Sequence, residues 1–314
     1  MKALALQGYE GLASLKFIDS VTPALKPHDV LIGVRAASMN PIDVKFAQGA
    51  LRERFNLTLP HVLGRDCAGV IVAAGKDVTT LKPGDEVYAV TDPLRWGAHA
   101  GEVAVDASTV ARKPDGLDFV QAASLPLAGL SVLAGLVTVG AVQKGERVLI
   151  HAGAGGVGSL AIQLAKHLGA FVATTTRTVN FDFVRRLGAD IAIDYRKEDF
   201  SAGLTDFDFV FDIVGGDVRY RSFAVLRPGG RLVHLSTPSM TQVVPREDVT
   251  VTQATVSYQT KLLDELTELV RADAIRPMVW RVFPFRDSLK AYEAMSAAGT
   301  QGKIVIEMNS ESSQ

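Results

Sequence analysis

The sequence has little of what several classes of protein need. Its 314 residues include one cysteine, Cys67, which excludes an intramolecular disulfide and any zinc site built from several cysteines, and which favours a reducing compartment. Lysine and arginine number 33 against 34 for aspartate and glutamate, so no net field attracts nucleic acid or an anionic membrane. No apolar run free of glycine and charge reaches the roughly 18 residues of a transmembrane helix. The expected partner is a small, nearly neutral molecule.

The first residues and the hydrophobic content predict a globular protein of the cytoplasm. Gly8, Glu10 and Gly11 interrupt the first apolar run before the hydrophobic region of a signal peptide can form. Hydrophobic residues make up 47% of the chain, which is enough to bury a sizeable core.

Two patterns of secondary structure divide the chain. Up to about residue 120 the sequence predicts short β segments separated by turns, such as HDVLIGVRAASM and DEVYAV. From about residue 146, strands alternate with helices, and the strands are RVLIHA, FVATTT, IAIDY, DFVFDIV and RLVHLS. This alternation predicts an α/β fold with a doubly wound parallel sheet. After about residue 250, one more amphipathic helix and a last strand, KIVIEM, are expected.

A glycine-rich turn follows the first strand of the alternating region. Gly153, Gly155 and Gly158 have the G-x-G-x-x-G spacing, and Gly156 and Val157 complete the turn. Between a strand and a helix, such glycines permit a tight turn, a close backbone approach to pyrophosphate and close packing of the helix on the strand. Free N–H groups at the helix N-terminus then face the phosphates. Dinucleotide binding is therefore predicted over an ordinary glycine-rich turn.

The end of the second strand predicts which dinucleotide is bound. A site for NAD usually carries Asp or Glu there, whereas this chain has Thr176 and Arg177, and the planar guanidinium matches a 2′-phosphate. Tyr195, at the end of the third strand, would add a hydroxyl and a flat face near the adenine. NADPH is the predicted cofactor. A solvated surface arginine and a packing aromatic are the alternatives for Arg177 and Tyr195.

Six segments carry a resemblance to a known family. They are Asn40-Pro41-Ile42-Asp43, LGRDCAGVIVAAG, LKPGDEVYAV, LPLAGLSVLAGL, HAGAGGVGSLAIQLAK and GKIVI, and together they span nearly the whole chain. In this order they resemble the medium-chain dehydrogenase/reductase superfamily, and within it the zinc-free quinone oxidoreductases related to zeta-crystallin. The resemblance implies a GroES-like β-rich catalytic domain at 1–122, a Rossmann NADPH-binding domain at 123–255, and a C-terminal return at 256–314 that completes the first domain. The substrate cleft is expected between the two domains.

The resemblance also bears on metal. Zinc alcohol dehydrogenases of the superfamily carry a ligand cysteine near the place of Met39 and a ligand histidine in the place of Arg65, and this chain lacks both, as well as the lobe with four cysteines. No metal is expected. Alcohol oxidation without a Lewis acid is disfavoured. Hydride transfer to a conjugated acceptor remains, so the resemblance implies an NADPH-dependent, zinc-independent reductase of a quinone or an α,β-unsaturated carbonyl compound.

Candidate catalytic residues follow from the same resemblance. It implies that Asn40, Asp43 and Lys45 lie on the cleft wall, where a carboxamide and a cation hydrogen-bond a substrate oxygen as negative charge develops on it. Local turn chemistry is the alternative for the first two. Ser131 stands where the family has a threonine beside the nicotinamide or the substrate, and a serine bonded to its own helix backbone is the alternative.

Further cofactor contacts are predicted where strands end. Val214, Leu235 and Ser236 follow the fourth and fifth strands, and open α/β sheets bind ligands at these ends. Lys303 is predicted to reach a phosphate, with solubility of a strand edge as an equally good explanation.

Two other functions stay open at this stage. A 2-enoyl thioester reductase would need a long acyl groove and a basic patch for coenzyme A. A non-catalytic NADPH-binding protein, as zeta-crystallin is used in some lenses, would keep cofactor affinity without turnover. Since relatives are commonly dimers or tetramers, a homo-oligomer, most simply a dimer, is expected.

Overall fold

The chain forms two compact units in the computed structural model, which describes residues 1–235, 246–297 and 299–308. The first unit contains Met1–Leu127, Tyr258–Arg271 and Val279–Gln314, and the second contains Ala128–Ser257 and Ala272–Met278. The sequence predicts domain boundaries after residues 122 and 255, and the chain passes between the units after residues 127 and 257. Nothing in the sequence indicates that Ala272–Met278 returns to the second unit.

The elements of the described residues, in chain order, are as follows. The strands are β1 (Lys2–Leu6), β2 (Leu15–Asp19), β3 (Asp29–Ser38), β4 (His61–Val62), β5 (Asp66–Ala74), β6 (Glu86–Val90), β7 (Glu102–Asp106), β8 (Val110–Arg112), β9 (Arg147–Ile150), β10 (Phe171–Thr176), β11 (Ile191–Asp194), β12 (Phe207–Asp212), β13 (Leu226–His234), β14 (Thr250–Gln253), β15 (Val279–Pro284) and β16 (Lys303–Glu307). The helices are α1 (Pro41–Ala47), α2 (Phe119–Ala123), α3 (Pro126–Val132), α4 (Gly156–His167), α5 (Phe181–Arg186), α6 (Phe200–Gly203), α7 (Asp217–Ser222), α8 (Thr260–Arg271) and α9 (Ser288–Ser296). A π-helical stretch, Leu133–Val139, follows α3 directly.

The first unit is built on two sheets, as the β-rich N-terminal pattern predicts, and their strands pair antiparallel except for the parallel pair of β15 and β16. The larger sheet has the order β15-β16-β3-β5-β6-β8, and β7 also pairs with β3. The smaller sheet has the order β2-β1-β4. The predicted last strand, β16, pairs antiparallel with β3, so the C-terminal segment completes the sheet of the N-terminal one.

Alternation along the central strand places the core of the first unit. Val30, Ile32 and Val34 of β3 point to one face and pack in a cluster with Val103 and Val105 of β7. The strand is buried along nearly all of its length because neighbours pair with it on both edges. Polar groups that β3 carries at its carboxyl end are therefore shielded from water.

The second unit contains a six-stranded parallel sheet. Its order is β11-β10-β9-β12-β13-β14, so the direction of winding reverses between β9 and β12. The predicted α/β fold with a doubly wound sheet is confirmed. Open sheets of this kind bind ligands at the carboxyl ends of the strands that flank the reversal.

One strand of this sheet is missing from the sequence prediction. Five strands are expected, and β14 is a sixth that pairs parallel with β13. Its residues, Thr250–Gln253, are largely exposed at the sheet edge, so the segment lacks the buried apolar run by which the other five are recognised.

Among the described residues, no helix is both long enough and apolar enough to cross a bilayer.

Candidate cofactor and acceptor sites

The glycine-rich turn connects β9 to α4 at the reversal of the sheet. Packing inside the protein requires two of its glycines. A Cβ on Gly153 would lie 2.0 Å from Thr174 Oγ1, and a Cβ on Gly158 would lie 2.3 Å from the carbonyl oxygen of Ala152. Ala152 itself has a φ of 52°, a left-handed conformation that L residues rarely adopt. The turn is therefore held tightly against β10.

Gly155 differs from the other two because the protein leaves room for a side chain there. Its Cβ would meet only the Ala152 carbonyl oxygen, at 3.4 Å, and its φ of −74° suits any residue. Gly155, Gly156 and Val157 are also the half-exposed residues of the turn, and no side chain caps the N-terminus of α4. The open space and the uncapped N–H groups together fit a pyrophosphate.

The neighbouring strand ends carry an acid that the protein itself occupies. Thr176 and Asp194, the last residues of β10 and β11, are register partners. The Asp194 carboxylate accepts hydrogen bonds from the hydroxyl and the backbone N–H of Thr178 and from the backbone N–H of Arg196. These bonds, the hydroxyl of Thr178 first, hold the pKa of Asp194 at about 2. Asp194 is therefore an anion, and its hydrogen bonds hold together the segments that follow β10 and β11.

Cations and an aromatic ring follow these strand ends. Arg177 leaves β10, while Tyr195, Arg196 and Lys197 leave β11 at the same edge of the sheet. Tyr195 is 51% exposed, and Lys197 Nζ donates to Thr178 Oγ1 over 3.1 Å. Sequence reasoning selected Arg177 and Tyr195 and missed Arg196 and Lys197, although the basic pair directly after a strand was a visible signal.

The loop after β12 is organised by a buried carboxylate. Asp212 Oδ1 accepts from the backbone N–H groups of Val214 at 2.9 Å and Gly215 at 2.8 Å, and Oδ2 accepts from Arg219 Nε at 2.7 Å. Val214 is 50% exposed as a result. Asp212, which sequence reasoning did not select, thus shapes the strand end at which Val214 is predicted to contact the cofactor.

Three further predicted residues lie in or near the second unit. Leu235 directly follows β13, and its N–H donates to the Asp212 carbonyl oxygen over 3.3 Å. Ser131 is buried in α3, near the point where the chain enters this unit. Ser236 lies outside the described residues.

The first unit contains a buried polar group that we call the Asp66 cluster, formed by Ser38, Asn40, Asp66 and Lys303. Lys303 Nζ donates to the Met39 carbonyl oxygen at 2.8 Å, to Asn40 Oδ1 at 2.6 Å and to Asp66 Oδ2 at 3.3 Å. Asn40 Nδ2 donates to the same Asp66 oxygen at 2.8 Å. All three ammonium protons and both ends of the carboxamide are therefore engaged.

Asp66 joins several elements in this cluster. Its carboxylate also accepts from Ser38 Oγ at 2.6 Å and from the backbone N–H of Leu127 at 2.7 Å. Burial lowers the pKa of Lys303, and the Asp66 charge opposes that effect. The Lys303 ammonium is enclosed here with every proton bonded, so it has no donor left for the predicted phosphate contact. Sequence reasoning missed Asp66, whose only signal was a carboxylate in an otherwise apolar strand.

The structure brings Asn40 and Asp43 together but leaves Lys45 apart from them. Asp43 Oδ2 accepts from the Asn40 backbone N–H at 2.9 Å, and Oδ1 accepts from that of Gly64 at 3.4 Å. This is the local chemistry of a helix N-terminus. Complete burial raises the pKa of Asp43 to about 6. Lys45, two residues further along α1, points about 200° around the helix and is exposed.

Arg65 stands where zinc-dependent relatives were expected to have a ligand. Its side chain is nearly enclosed, with 3% of the residue exposed. Nε donates to the Thr91 carbonyl oxygen at 2.8 Å, and the guanidinium lies over the ring of Tyr258, 5.1 Å from its centre. Nη2 is buried and has no hydrogen-bond acceptor among the described residues. Met39, at the other ligand position, is packed in an apolar cluster.

In the described part of the chain, no group of three or more His, Cys, Asp and Glu side chains is arranged to hold a metal ion.

Two cavities adjoin each other in the first unit. One, of about 620 Å³, is lined by residues that include Lys26, Asp92, Arg95, Thr91 and Tyr258. The other, of about 780 Å³, is lined mainly by β8, α8 and the segment before Lys82. The first of these is bordered by both residues that hold the guanidinium of Arg65.

Two family models, two named relatives and one solved structure match this chain. Residues 26–115 match the family described as alcohol dehydrogenase GroES-like domain, and residues 187–306 match the family described as zinc-binding dehydrogenase. An NADPH-dependent alkenal/one oxidoreductase of Arabidopsis thaliana chloroplasts is 37% identical, over 98% of this chain and 79% of that protein. A 2-methylene-furan-3-one reductase of Solanum lycopersicum is 36% identical with the same coverage. The structure of a quinone oxidoreductase from Coxiella burnetii has a TM-score of 0.91 and 35% identity, and covers 98% of this chain and 99% of that one.

Proposed function

This chain belongs to the quinone oxidoreductase family of the medium-chain dehydrogenase/reductase superfamily, and we propose that it reduces a quinone or an α,β-unsaturated carbonyl compound with NADPH and without zinc. The observation that carries the proposal is the turn between β9 and α4. This turn lies at the reversal of a doubly wound sheet, where such sheets bind ligands. It has open space at Gly155, which the packing of the protein does not fill, and N–H groups at the start of α4 that no side chain caps. The relatives named for quinones, alkenals and a furanone support the class of acceptor.

NADPH would be held by residues of the second unit. Gly155, Gly156 and Val157 would accept the pyrophosphate at the helix N-terminus. Arg177 would pair with the 2′-phosphate, and the neighbouring Arg196 and Lys197 would add positive charge. Thr178 holds the Asp194 carboxylate at the end of β11 by two hydrogen bonds, so that carboxylate is engaged within the protein. When bound, the cofactor supplies hydride.

Other cofactor contacts in the proposal come from the remaining strand ends and the start of the unit. Tyr195 would lie near the adenine, while Val214, Leu235 and Ser236 would contact the cofactor at the ends of β12 and β13. Ser131 would place a hydroxyl beside the nicotinamide or the acceptor.

The acceptor needs a donor for its oxygen and no metal. A conjugated carbonyl compound that receives hydride at carbon develops negative charge on oxygen, and preorganised hydrogen-bond donors lower the barrier. Lys45 is an exposed cation and Ser131 a hydroxyl, so both stay candidates to orient the acceptor. Asn40 and Asp43 hold the backbone around α1, since their polar atoms are bonded within the protein. Water supplies the proton.

The proposal extends to organisation and compartment. The predicted catalytic domain, 1–122 with 256–314, would bind the acceptor, and 123–255 would bind NADPH. We also propose that the protein is a homodimer and is located in the cytoplasm. The single cysteine, which is buried, supports a reducing compartment.

A steady-state assay of the full chain tests the function. Oxidation of NADPH and NADH would be followed with 1,4-benzoquinone, a 2-alkenal and a crotonyl thioester. We expect turnover with the first two acceptors and a preference for NADPH. Turnover confined to the thioester would transfer the protein to the 2-enoyl thioester reductases. NADPH binding without turnover of any acceptor would support a non-catalytic role.

A further inference from the structure

His151 is a buried histidine of the second unit that directly follows β9 and precedes the glycine-rich turn. Its Nδ1 lies 3.0 Å from Thr175 Oγ1, and its Nε2 lies 2.8 Å from Ser222 Oγ. None of these three residues is more than 4% exposed. The ring also packs edge-on against the ring of Phe200. The imidazole therefore connects β10 with α7, the helix that follows β12.

The surroundings of the imidazole keep it neutral. Burial lowers the pKa of His151 to about 4. The charge of Asp212, in β12, opposes this effect, and the charge of Arg221, in α7, adds to it. At pH 7 the ring therefore carries one proton, on one of its two nitrogens.

The hydrogen bonds around the ring show which nitrogen carries that proton. Ser222 Oγ donates to the Val218 carbonyl oxygen over 2.7 Å, so its own proton is used and it accepts from the Nε2–H of His151. Nδ1 then has no proton and accepts from the hydroxyl of Thr175. Each polar atom in this chain has a partner with a fixed role.

The Thr175 hydroxyl also holds a strained residue of the turn. The Ala152 N–H donates to Thr175 Oγ1 over 3.2 Å, and the Ala152 carbonyl oxygen accepts from the Gly155 N–H at 3.0 Å. With a φ of 52°, Ala152 has a left-handed conformation that persists only where neighbouring contacts fix it. Such residues concentrate at ligand-binding sites. The orientation of the Ala152 peptide thus sets the position of Gly155 at the start of α4.

The other end of the chain is close in sequence to the loop after β12. Asp212 holds that loop through the backbone N–H groups of Val214 and Gly215, and α7 follows it directly. His151 therefore joins the segments that follow β9 and β12, the two strands that flank the reversal of the sheet. Open α/β sheets bind ligands at these strand ends.

We propose that His151 is a positioning residue of the cofactor site, which fastens the glycine-rich turn to α7 through the hydroxyls of Thr175 and Ser222. The inference rests on the proposed function, which assigns this turn to NADPH. His151 is fully buried and acts on the cofactor through the backbone of Ala152 and Gly155. When the chain is broken, Ala152 relaxes and the N–H groups at the start of α4 lose their alignment. NADPH affinity then falls, while the chemistry of the bound cofactor is unchanged.

Two substitutions of Thr175 test this role. Thr175→Val removes the hydroxyl and keeps the branched shape, whereas Thr175→Ser keeps the hydroxyl. We expect Thr175→Val to raise the dissociation constant and the KM of NADPH about 3- to 10-fold, as for loss of one hydrogen bond, while kcat with 1,4-benzoquinone changes less than about twofold. Thr175→Ser should recover most of the affinity. Wild-type affinity in Thr175→Val, or a serine variant that binds no better than the valine variant, would overturn the proposal.

Thr267→Val is the matched control for the loss of a buried hydroxyl. Thr267 is a buried threonine of the first unit, and its hydroxyl is hydrogen-bonded to that of Tyr88. This variant should keep the wild-type dissociation constant of NADPH. An equal loss of affinity in Thr267→Val and Thr175→Val would show that any buried hydroxyl has this effect, and would overturn the proposal.

Ser222→Ala, alone and together with Thr175→Val, measures the coupling through the ring. Both hydroxyls act through His151, so the double variant should bind NADPH within about twofold of the weaker single variant. Damage at two independent sites would multiply the two losses, and that result would overturn the proposal.

Nitrogen-15 NMR of the wild-type protein checks the chain without any substitution. After assignment through the backbone, the side-chain signals of His151 at pH 7 should show a protonated Nε2 and an unprotonated Nδ1. The other tautomer, or an imidazolium, would overturn the proposal. Wild type that has this tautomer but binds no NADPH would contradict the proposed function. Wild type that binds and oxidises NADPH, with Thr175→Val unaffected, would refute the role of His151 alone.

Discussion

Replacement of Gly155 by alanine separates cofactor binding from folding. The added Cβ would lie 3.4 Å from the Ala152 carbonyl oxygen, which is ordinary contact, and the φ of −74° suits alanine. Alanine is a poorer helix N-cap than glycine, at a cost of about 1 kcal/mol, and it restricts the unfolded chain, which stabilises by about 0.4–1 kcal/mol. The two effects nearly cancel. We expect the unfolding midpoint to change by less than about 3 °C.

The same methyl group should weaken NADPH binding. It would occupy the half-exposed side of the turn, where the pyrophosphate approaches the backbone. Displacement of one charged group from its N–H donors costs about 1.5–3 kcal/mol. At about 1.4 kcal/mol for each factor of ten, the dissociation constant should rise roughly 10- to 150-fold.

Gly153→Ala is the matched control for this substitution. Its Cβ would lie 2.0 Å from Thr174 Oγ1, whose hydroxyl bonds to the Ile150 carbonyl oxygen, so the β9–β10 packing has to shift. Overpacking of this kind costs about 1–3 kcal/mol, and the unfolding midpoint should fall. NADPH affinity is measured by fluorescence titration and stability by thermal unfolding. Unchanged NADPH affinity in a well-folded Gly155→Ala protein would refute our reading of the turn.

Four further expectations follow from the described contacts. Arg177→Glu should weaken NADPH about 10- to 150-fold and NADH much less, whereas the exposed Arg186→Glu should affect neither; equal losses in fluorescence titrations would place Arg177 outside the 2′-phosphate site. Lys303→Met leaves the Asp66 carboxylate buried without its cation and should cost about 3–5 kcal/mol in unfolding free energy, a loss that denaturant titration would detect or exclude. Burial raises the pKa of Asp43 from 3.8 to about 6, so between these pH values the folded state binds a proton that the unfolded state releases. The stabilisation from this proton is complete below about pH 4 and is lost as the pH rises through 6, so wild type should lose stability over that window by up to a few kcal/mol relative to Asp43→Asn. Parallel curves of stability against pH for the two proteins would contradict this expectation. Finally, elemental analysis should find no stoichiometric zinc and a chelator should leave turnover unchanged; one tightly bound zinc per chain would contradict the expectation that the protein holds no metal.

Local patterns in the sequence determined the fold class and the cofactor turn. The buried strands of the second unit are recognisable because a parallel sheet covered on both faces needs continuous apolar runs, and β14 escaped because it is exposed at the edge. The turn at Gly153–Gly158 was predictable because its glycines act within a few residues of one another. The basic end of β10 was visible for the same reason, since it follows a strand that the pattern had already located.

Only the tertiary structure decided which polar side chains meet in the first unit. Lys303 lies 263 residues from Asn40 in the chain, and the pairing of β16 with β3 brings its ammonium to that carboxamide and to Asp66. Periodicity shows that a residue is buried, but it does not show which distant group shares the space. For the same reason, the unpaired donor of Arg65 became visible only when the contacts of Thr91 and Tyr258 were known. Sequence determines local conformation because its causes are local, whereas the partners of a buried charge depend on how the whole sheet is assembled.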